Sequence, residues 1–352
     1  MTLLPGLIQK PAPAAQANGE KQDTPFEWSL VSANDRWTDD PDRIANMSDP
    51  PIIDGMLRER EVATVVGPAK TAKTWFTLKM ALAVAGGDPF LGRATFQRKV
   101  LYLDYELKPG TFEKRMCMTS EWRPEGFHYQ CLRGRAKLPG IADITTLVEA
   151  EGFGLVVVDS LYRTGWLQEE NNNDTTSRDL TALQSFTAKT NCSLICVDHT
   201  AKGGGTDKSA VDAARGASAK GGFYDSLFVL RPTDKGPDIE KTYAVLDPVL
   251  RDWPRFSDLP LVEFAWHQGR ISIDVAGEVQ RGDAHGNAAR VLAVIASSDE
   301  PIRFAEIQDG SGLSEGAARR ILKNLVVSGR VVESPDPGHK QGKVYSIRES
   351  EA

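Results

Sequence analysis

The chain has 352 residues, of which 41% are hydrophobic and 26% charged, the make-up of an ordinary globular protein with room for one large domain and a small one. No stretch approaches the roughly 20 unbroken apolar residues that a membrane helix needs, so no membrane partner is expected. The net charge is −6, from 42 Lys and Arg against 48 Asp and Glu; a protein that grips nucleic acid over its whole surface is usually basic, so any such contact here must be local.

Residues 1–50 read as a flexible segment, with the run Pro11-Ala12-Pro13-Ala14-Ala15. Phe26, Trp28 and Trp37 suggest that its second half docks on something. No basic leader, apolar core and small-residue cleavage site are seen. The four cysteines, Cys117, Cys131, Cys192 and Cys196, form no disulfide-style framework. A cytoplasmic location is therefore expected. Cys192, Cys196 and His199 could be drawn as a metal cluster, but a structural zinc wants four closed ligands. Two buried, hydrophobe-like cysteines are the simpler reading.

From Glu61 the chain alternates between strand and helix. Short apolar runs occur at Val62–Val66, Val100–Tyr105, Leu155–Val158, Ser193–Val197 and Leu227–Leu230. Helical spacing fills Thr74–Ala85, Thr111–Thr119, Ile141–Glu151 and Thr176–Thr190. Near-continuous apolar strands separated by helices predict an α/β domain with a mainly parallel sheet covered on both faces. Thr242–Leu246, Leu261–Trp266 and Arg270–Ile273, broken by Pro, Gly and Asp, predict antiparallel strands at its edge. We place this domain at 51–276 and a linker at 277–286.

Residues 287–348 predict a second, smaller domain. Ala288–Ala296 and Phe304–Gln308 read as helices, Gly310-Ser311-Gly312 as a turn, and Ser314 as the cap of a third helix through about Ser328. Arg330–Glu333 and Val344–Ile347 read as two strands. Three helices and a two-stranded hairpin is the winged-helix pattern. On the third helix Ala318, Ile321, Leu322 and Leu325 can face inward, while Arg319, Arg320 and Lys323 are free to meet phosphate. His339, Lys340 and Lys343 add charge to the wing. The same features suit a protein-docking module, and the sequence leaves both open.

The stretch Gly67-Pro68-Ala69-Lys70-Thr71-Ala72-Lys73-Thr74-Trp75 follows an apolar strand and opens a helix. A phosphate-binding loop works by wrapping backbone N–H groups around phosphates, with a lysine (here Lys73) reaching the terminal ones and a hydroxyl (here Thr74) on Mg²⁺. The helix N-terminus adds a field favourable to anions. Ala72 stands where glycine is usual; a positive φ there would cost about 1–2 kcal/mol. Asp159 ends the run Leu155–Val158, at the sheet edge where ligands sit, and can hold Mg²⁺ opposite Thr74. Asp104 and Glu106 follow a second strand, and by period two share a side. Either could polarise a water, or both could merely cap. His199 ends a third strand, and Lys202-Gly203-Gly204-Gly205-Thr206-Asp207-Lys208 is a glycine-rich loop carrying two lysines.

In their order, GPAKTAKTW, Gly86-Gly87-Asp88-Pro89-Phe90-Leu91-Gly92, VLYLDYE, LVVVDSLYR, the stretch Glu169–Asp174, VDHTAKGG and Ala214-Arg215-Gly216-Ala217-Ser218 resemble the RecA-fold ATPases. Within them they resemble the plasmid and phage RepA-type hexameric replicative helicases, from about Ile52 to Asp274. The resemblance implies that Lys73 and Thr74 bind ATP and Mg²⁺, that Glu106 is the catalytic base and that Asp159 is the metal acid. It makes His199 the sensor of the γ-phosphate, and sets Lys202, Lys208 and the loop to Arg215 near DNA or a neighbouring subunit. The family usually has Gly at Ala72 and often His at Asp198. Arg215 is the best match for an arginine finger, with Lys220 and Arg231 as alternatives. The expected function is an ATP-driven DNA motor, a replicative helicase ring (a homo-hexamer) on single-stranded DNA with a replication-initiation or primase partner. A recombination or loading ATPase and a nucleotide-sensing DNA-binding regulator are the alternatives.

Overall fold

The structure, a computed structural model, describes residues 33, 37–45, 47–120, 125–167, 173–199, 222–233, 240–251, 256, 258–280, 287–338 and 342–347. The chain divides into two compact units, Met1–Ser48 and Asp49–Ala352. In the first, the short helix α1 (Pro41–Ala45) follows an Asp40 carboxylate that accepts the Asp42 N–H at 3.0 Å. Trp37 is 80% exposed, so the docking expected of its ring is not seen in that unit. Phe26 and Trp28 lie outside the described residues.

The second unit opens with a two-stranded ribbon, β1 (Pro51–Ile53) and β2 (Leu57–Arg58). There follow β3 (Val62–Gly67), α2 (Lys73–Gly86), β4 (Val100–Asp104), α3 (Pro109–Thr119) and β5 (Phe127–Cys131). Next come α4 (Ile141–Glu151), β6 (Leu155–Asp159), α5 (Asn173–Thr190), β7 (Ser193–His199) and β8 (Ser226–Pro232). The series ends with β9 (Lys241–Leu250), β10 (Asp258–His267) and β11 (Arg270–Gln280). Among the described residues nine of these strands form one sheet, in the order β11-β10-β9-β8-β3-β7-β6-β4-β5. Pairing is parallel from β8 through β5 and antiparallel from β8 to β11.

The apolar runs follow from burial on both faces. Successive side chains of a strand point to opposite faces. Along β6, Leu155 and Val157 join one core with α2, while Val156 and Val158 join the other with α4 and α5. Cys192 and Cys196 are fully buried in that second core, as small hydrophobes. Helices end where the sequence gives a residue suited to positive φ: Gly87 after α2 (φ 77°) and Gly152 after α4 (φ 69°). This topology brings the carboxyl ends of β3, β4, β6 and β7 to one edge.

Two strands of the large sheet differ from expectation. β5 was missed because its middle residues, His128, Tyr129 and Gln130, are polar or amphipathic and exposed at the sheet's margin. β11 runs on to Gln280, so the first residues assigned to a linker are sheet; 281–286 lie outside the described residues.

The C-terminal part contains α6 (Asn287–Ala296), β12 (Ile302–Arg303), α7 (Phe304–Ser311), α8 (Glu315–Val327), β13 (Val331–Pro335) and β14 (Lys343–Ile347). Its sheet has three strands, β12-β14-β13, rather than two; a two-residue strand leaves no periodicity to read. The turn starts at Gly312 (φ 65°), after Gly310 and Ser311 complete α7. Ser314 occupies the N-cap of α8 but makes no side-chain cap bond. Leu292, Ile295, Leu322, Leu325 and Val331 share a core with Tyr243, Val245, Leu259 and Leu261 of β9 and β10, and an Arg330–Asp258 ion pair adds to that contact. Among the described residues no helix is long and apolar enough to cross a membrane.

Glu61, just before β3, is 8% exposed. It accepts the Arg58 N–H at 3.1 Å and the Ser226 hydroxyl at 2.8 Å, tying β2 to β3 and β8. Burial, against those two bonds, pushes its pKa up to about 7. The folded protein therefore holds a proton that the unfolded chain has lost between the ordinary carboxylate range and pH 7. Stability falls as pH rises through that window. Glu61→Gln keeps an acceptor oxygen and removes the titration. It is expected to flatten this part of the pH profile and to stabilise the protein by about 1–2 kcal/mol at pH 8, as read by urea unfolding at pH 5 and pH 8. An unchanged difference between the two pH values would contradict it.

Candidate nucleotide site

Gly67 ends β3 and opens the loop. A Cβ there would lie 2.6 Å from the Leu230 carbonyl oxygen and 2.8 Å from Thr71 Oγ1, so only glycine fits. The loop then turns through positive φ at Lys70 (67°) and Ala72 (58°). The conformation that the sequence made conditional at Ala72 is thus present, with its cost of about 1–2 kcal/mol. The Thr71 hydroxyl donates to the Pro68 carbonyl at 2.8 Å and closes the turn. The first bond of α2 runs from Phe76 N–H to the Ala72 carbonyl. The N–H groups of Lys73, Thr74 and Trp75 come before it and point out of the helix end, as an anion site requires.

Lys73 is 6% exposed. Its ammonium donates to the carbonyls of Gly67 (2.9 Å) and Pro68 (2.8 Å) and lies 3.3 Å from His199 Nδ1. Burial lowers its pKa, against the charges of Asp159, Glu106 and Asp198. A phosphate entering the loop would offer this buried cation the anion it lacks.

Asp159 ends β6 beside Asp104 of β4, its register partner. It is 2% exposed and accepts the Tyr102 hydroxyl at 3.0 Å. Burial first, then the Asp104 charge, push its pKa up to about 7, although hydrogen bonds from Thr74 and Tyr102 oppose them. Asp104 turns one oxygen to the N–H groups of Glu106 (2.9 Å) and Leu107 (2.6 Å); its other oxygen is buried and, among the described residues, without a partner. Asp104 therefore caps its turn, which leaves Glu106 as the acid facing the loop. The proximity of Asp104 that raises the Asp159 pKa would be relieved by a cation, so Thr74 and Asp159 are suited to hold a divalent ion between them. Among the described residues no group of three or more His, Cys, Asp or Glu could hold a metal alone.

Glu106 Oε1 accepts the Ser160 hydroxyl at 2.7 Å, with Arg163 Nε at 3.4 Å and His199 Nε2 at 3.6 Å. Burial alone would raise its pKa, but these three groups outweigh it and hold it below the ordinary value. The carboxylate is therefore ionised at neutral pH. His199 has one ring nitrogen at Lys73 and the other at Glu106, linking the phosphate loop to the candidate base. Sequence reasoning missed Tyr102, Ser160 and Arg163, although all three lie inside the quoted strings VLYLDYE and LVVVDSLYR.

Other expected positions fare differently. The Trp75 ring leaves the loop, meeting Trp266 edge-on at 6.4 Å with Arg115 4.9 Å above it; towards phosphate it offers its N–H. Arg231 is corrected as a trans-acting cation, because it forms a buried ion pair with Asp247 at 3.2 Å. Lys202, Lys208, Arg215 and Lys220 lie outside the described residues, as do His339 and Lys340. On α8, Ala318, Leu322 and Leu325 are buried and Arg320 and Lys323 exposed. Arg319 is paired with Glu315 at 2.9 Å and covers the Phe304 ring at 4.2 Å. Lys343 is paired with Glu333 at 2.5 Å. Both pairs are largely exposed to solvent.

Residues 34–205 match the family model described as AAA domain. The chain carries a P-loop ATPase domain of the RecA-like class. The matched span holds Lys73, Thr74, Glu106, Asp159 and His199, so the cleft built above falls within it. Residues 286–335 match the IclR helix-turn-helix domain, which makes the C-terminal part a winged helix by type as well as by shape. The strands β9, β10 and β11 lie between the two matches. No curated protein matches the chain.

Proposed function

We propose that the protein is an ATP-driven DNA motor, a replicative-type helicase that works as a homo-oligomeric ring, a hexamer, on single-stranded DNA. Residues 51–276 would form the motor and 287–348 the winged helix. The observation that carries this reading is the Lys73–His199–Glu106 arrangement. His199 is the last residue of β7, directly before the lysine-bearing glycine-rich segment. A histidine so placed can report what sits on Lys73 to that segment, the coupling that a motor needs. In this reading the loop N–H groups and Lys73 bind the phosphates, and Thr74 and Asp159 hold Mg²⁺. Held there, the metal would supply Lewis-acid neutralisation of phosphate charge. Glu106 orients the attacking water, Ser160 and Arg163 fix Glu106, and Arg215 would face the developing charge.

The IclR-type match favours a second reading, a nucleotide-sensing regulator that binds duplex DNA through Arg320 and Lys323. A forked duplex carrying one single-stranded tail separates the two. The motor is expected to displace the paired strand with ATP and Mg²⁺, and not with ADP. Tight binding to a duplex site with neither displacement nor turnover would favour the regulator.

A further inference from the structure

His199 meets the ammonium of Lys73 with one ring nitrogen and Glu106 with the other. On the reading above they mark the end of the loop where a terminal phosphate lies, so the sugar and base must leave from the opposite end. The first side chain there, after Thr74, is Trp75. It does not stand alone. Its ring is edge-on to Trp266, with centroids 6.4 Å apart and planes at 85°. The Arg115 guanidinium lies over its face at 4.9 Å.

The three side chains come from three elements, α2, β10 and α3, and all are partly exposed. Trp266 is held by backbone, pairing with Ile271 across the β10–β11 hairpin and donating its N–H to the Glu240 carbonyl at 2.8 Å. Both tryptophans rest on the core beneath α2. Among the described residues no carboxylate is within ion-pair distance of Arg115, so its planar cation is available. With Arg115 over one face of Trp75 and the two rings nearly perpendicular, a flat ligand one residue beyond the phosphate loop can stack on the Trp266 face while meeting Trp75 and Arg115 at its side.

We propose that Trp75, Trp266 and Arg115 form the seat of the nucleobase, with the base stacking on Trp266 and the Trp75–Arg115 pair closing its side. The inference rests on the phosphate-loop reading and adds to it the residues that hold the nucleoside. Stacking on an aromatic side chain strengthens nucleotide binding by roughly tenfold or more. Because every base has a π-face, this seat supplies affinity more than discrimination between bases.

The test compares ADP with inorganic pyrophosphate, which has the phosphates and no base, by calorimetric titration of the full chain with Mg²⁺. The wild type is expected to bind ADP about tenfold or more tighter than pyrophosphate. Trp266→Leu keeps an apolar side chain on the core and removes the π-face. It should bring ADP affinity down by about tenfold and leave pyrophosphate within about twofold, while Trp266→Phe retains most of the ADP affinity. Tryptophan fluorescence of the wild type, which needs no variant to fold, should be quenched by ADP and not by pyrophosphate. Unchanged ADP affinity in Trp266→Leu, an equal loss for both ligands, or equal quenching by both would overturn the seat while leaving the phosphate loop intact. Binding of neither ligand by the wild type would overturn the phosphate loop itself, and the seat with it.

Discussion

Lys73→Ala is expected to cut ATP turnover by about a thousandfold or more while leaving the fold intact. The lysine is buried and its pKa lowered, so its position disfavours the charge it carries. Removing the ammonium takes away its bonds to the Gly67 and Pro68 carbonyls, but relieves a buried charge and leaves the Thr71–Pro68 bond that closes the turn, so the fold should survive. What is lost is the cation that would meet the terminal phosphates, and with it the contact to His199. Steady-state hydrolysis and urea unfolding, measured on the same preparation, check both halves. Turnover near the wild-type value would mean that hydrolysis does not occur in this cleft.

Glu106→Gln should lower turnover by about 10²- to 10⁴-fold with nucleotide affinity changed only a few-fold. Gln keeps an oxygen that can accept from Ser160 and can still face His199 and Arg163. A purely architectural role would therefore survive the change. A base or water-orienting role would not, because an amide cannot take a proton. Single-turnover hydrolysis beside calorimetric affinity for ADP separates the two. Retained turnover would assign Glu106 to scaffolding and leave the water without a partner among Asp104, Glu106 and Asp159.

Much of this was legible in the sequence where side-chain type and spacing carry the physics. Most strands of the parallel sheet were readable as near-continuous apolar runs, because both their faces are buried. Asp159 and His199 were readable because each ends such a run, and Lys73 and Thr74 because they open the helix after the loop that follows another; parallel pairing brings these ends to one edge. β5 was not, because a strand at the sheet's margin is free to carry His128, Tyr129 and Gln130. The partners of Glu106 were not readable either. Ser160 and Arg163 are 54 and 57 residues away in sequence, and their approach depends on β4 pairing with β6, which no local pattern states. Asp104 and Glu106 looked equivalent by period two. The chain leaves the strand at Asp104, and backbone N–H groups then claim that carboxylate. Arg231 looked available for the same reason in reverse, since its partner Asp247 lies on the next strand.

The antiparallel strands acquire a role from these contacts. β10 carries Trp266 near the phosphate loop and also Leu259 and Leu261 in the core shared with the winged helix. One strand thus touches both the nucleotide cleft and the helix-turn-helix part.

The measurement that bears most directly on the central claim is the rate of ATP hydrolysis by the full chain with Mg²⁺, with and without single-stranded DNA. The account predicts turnover that rises several-fold with DNA and disappears in Lys73→Ala. A wild-type rate no higher than that of Lys73→Ala, with or without DNA, would contradict it.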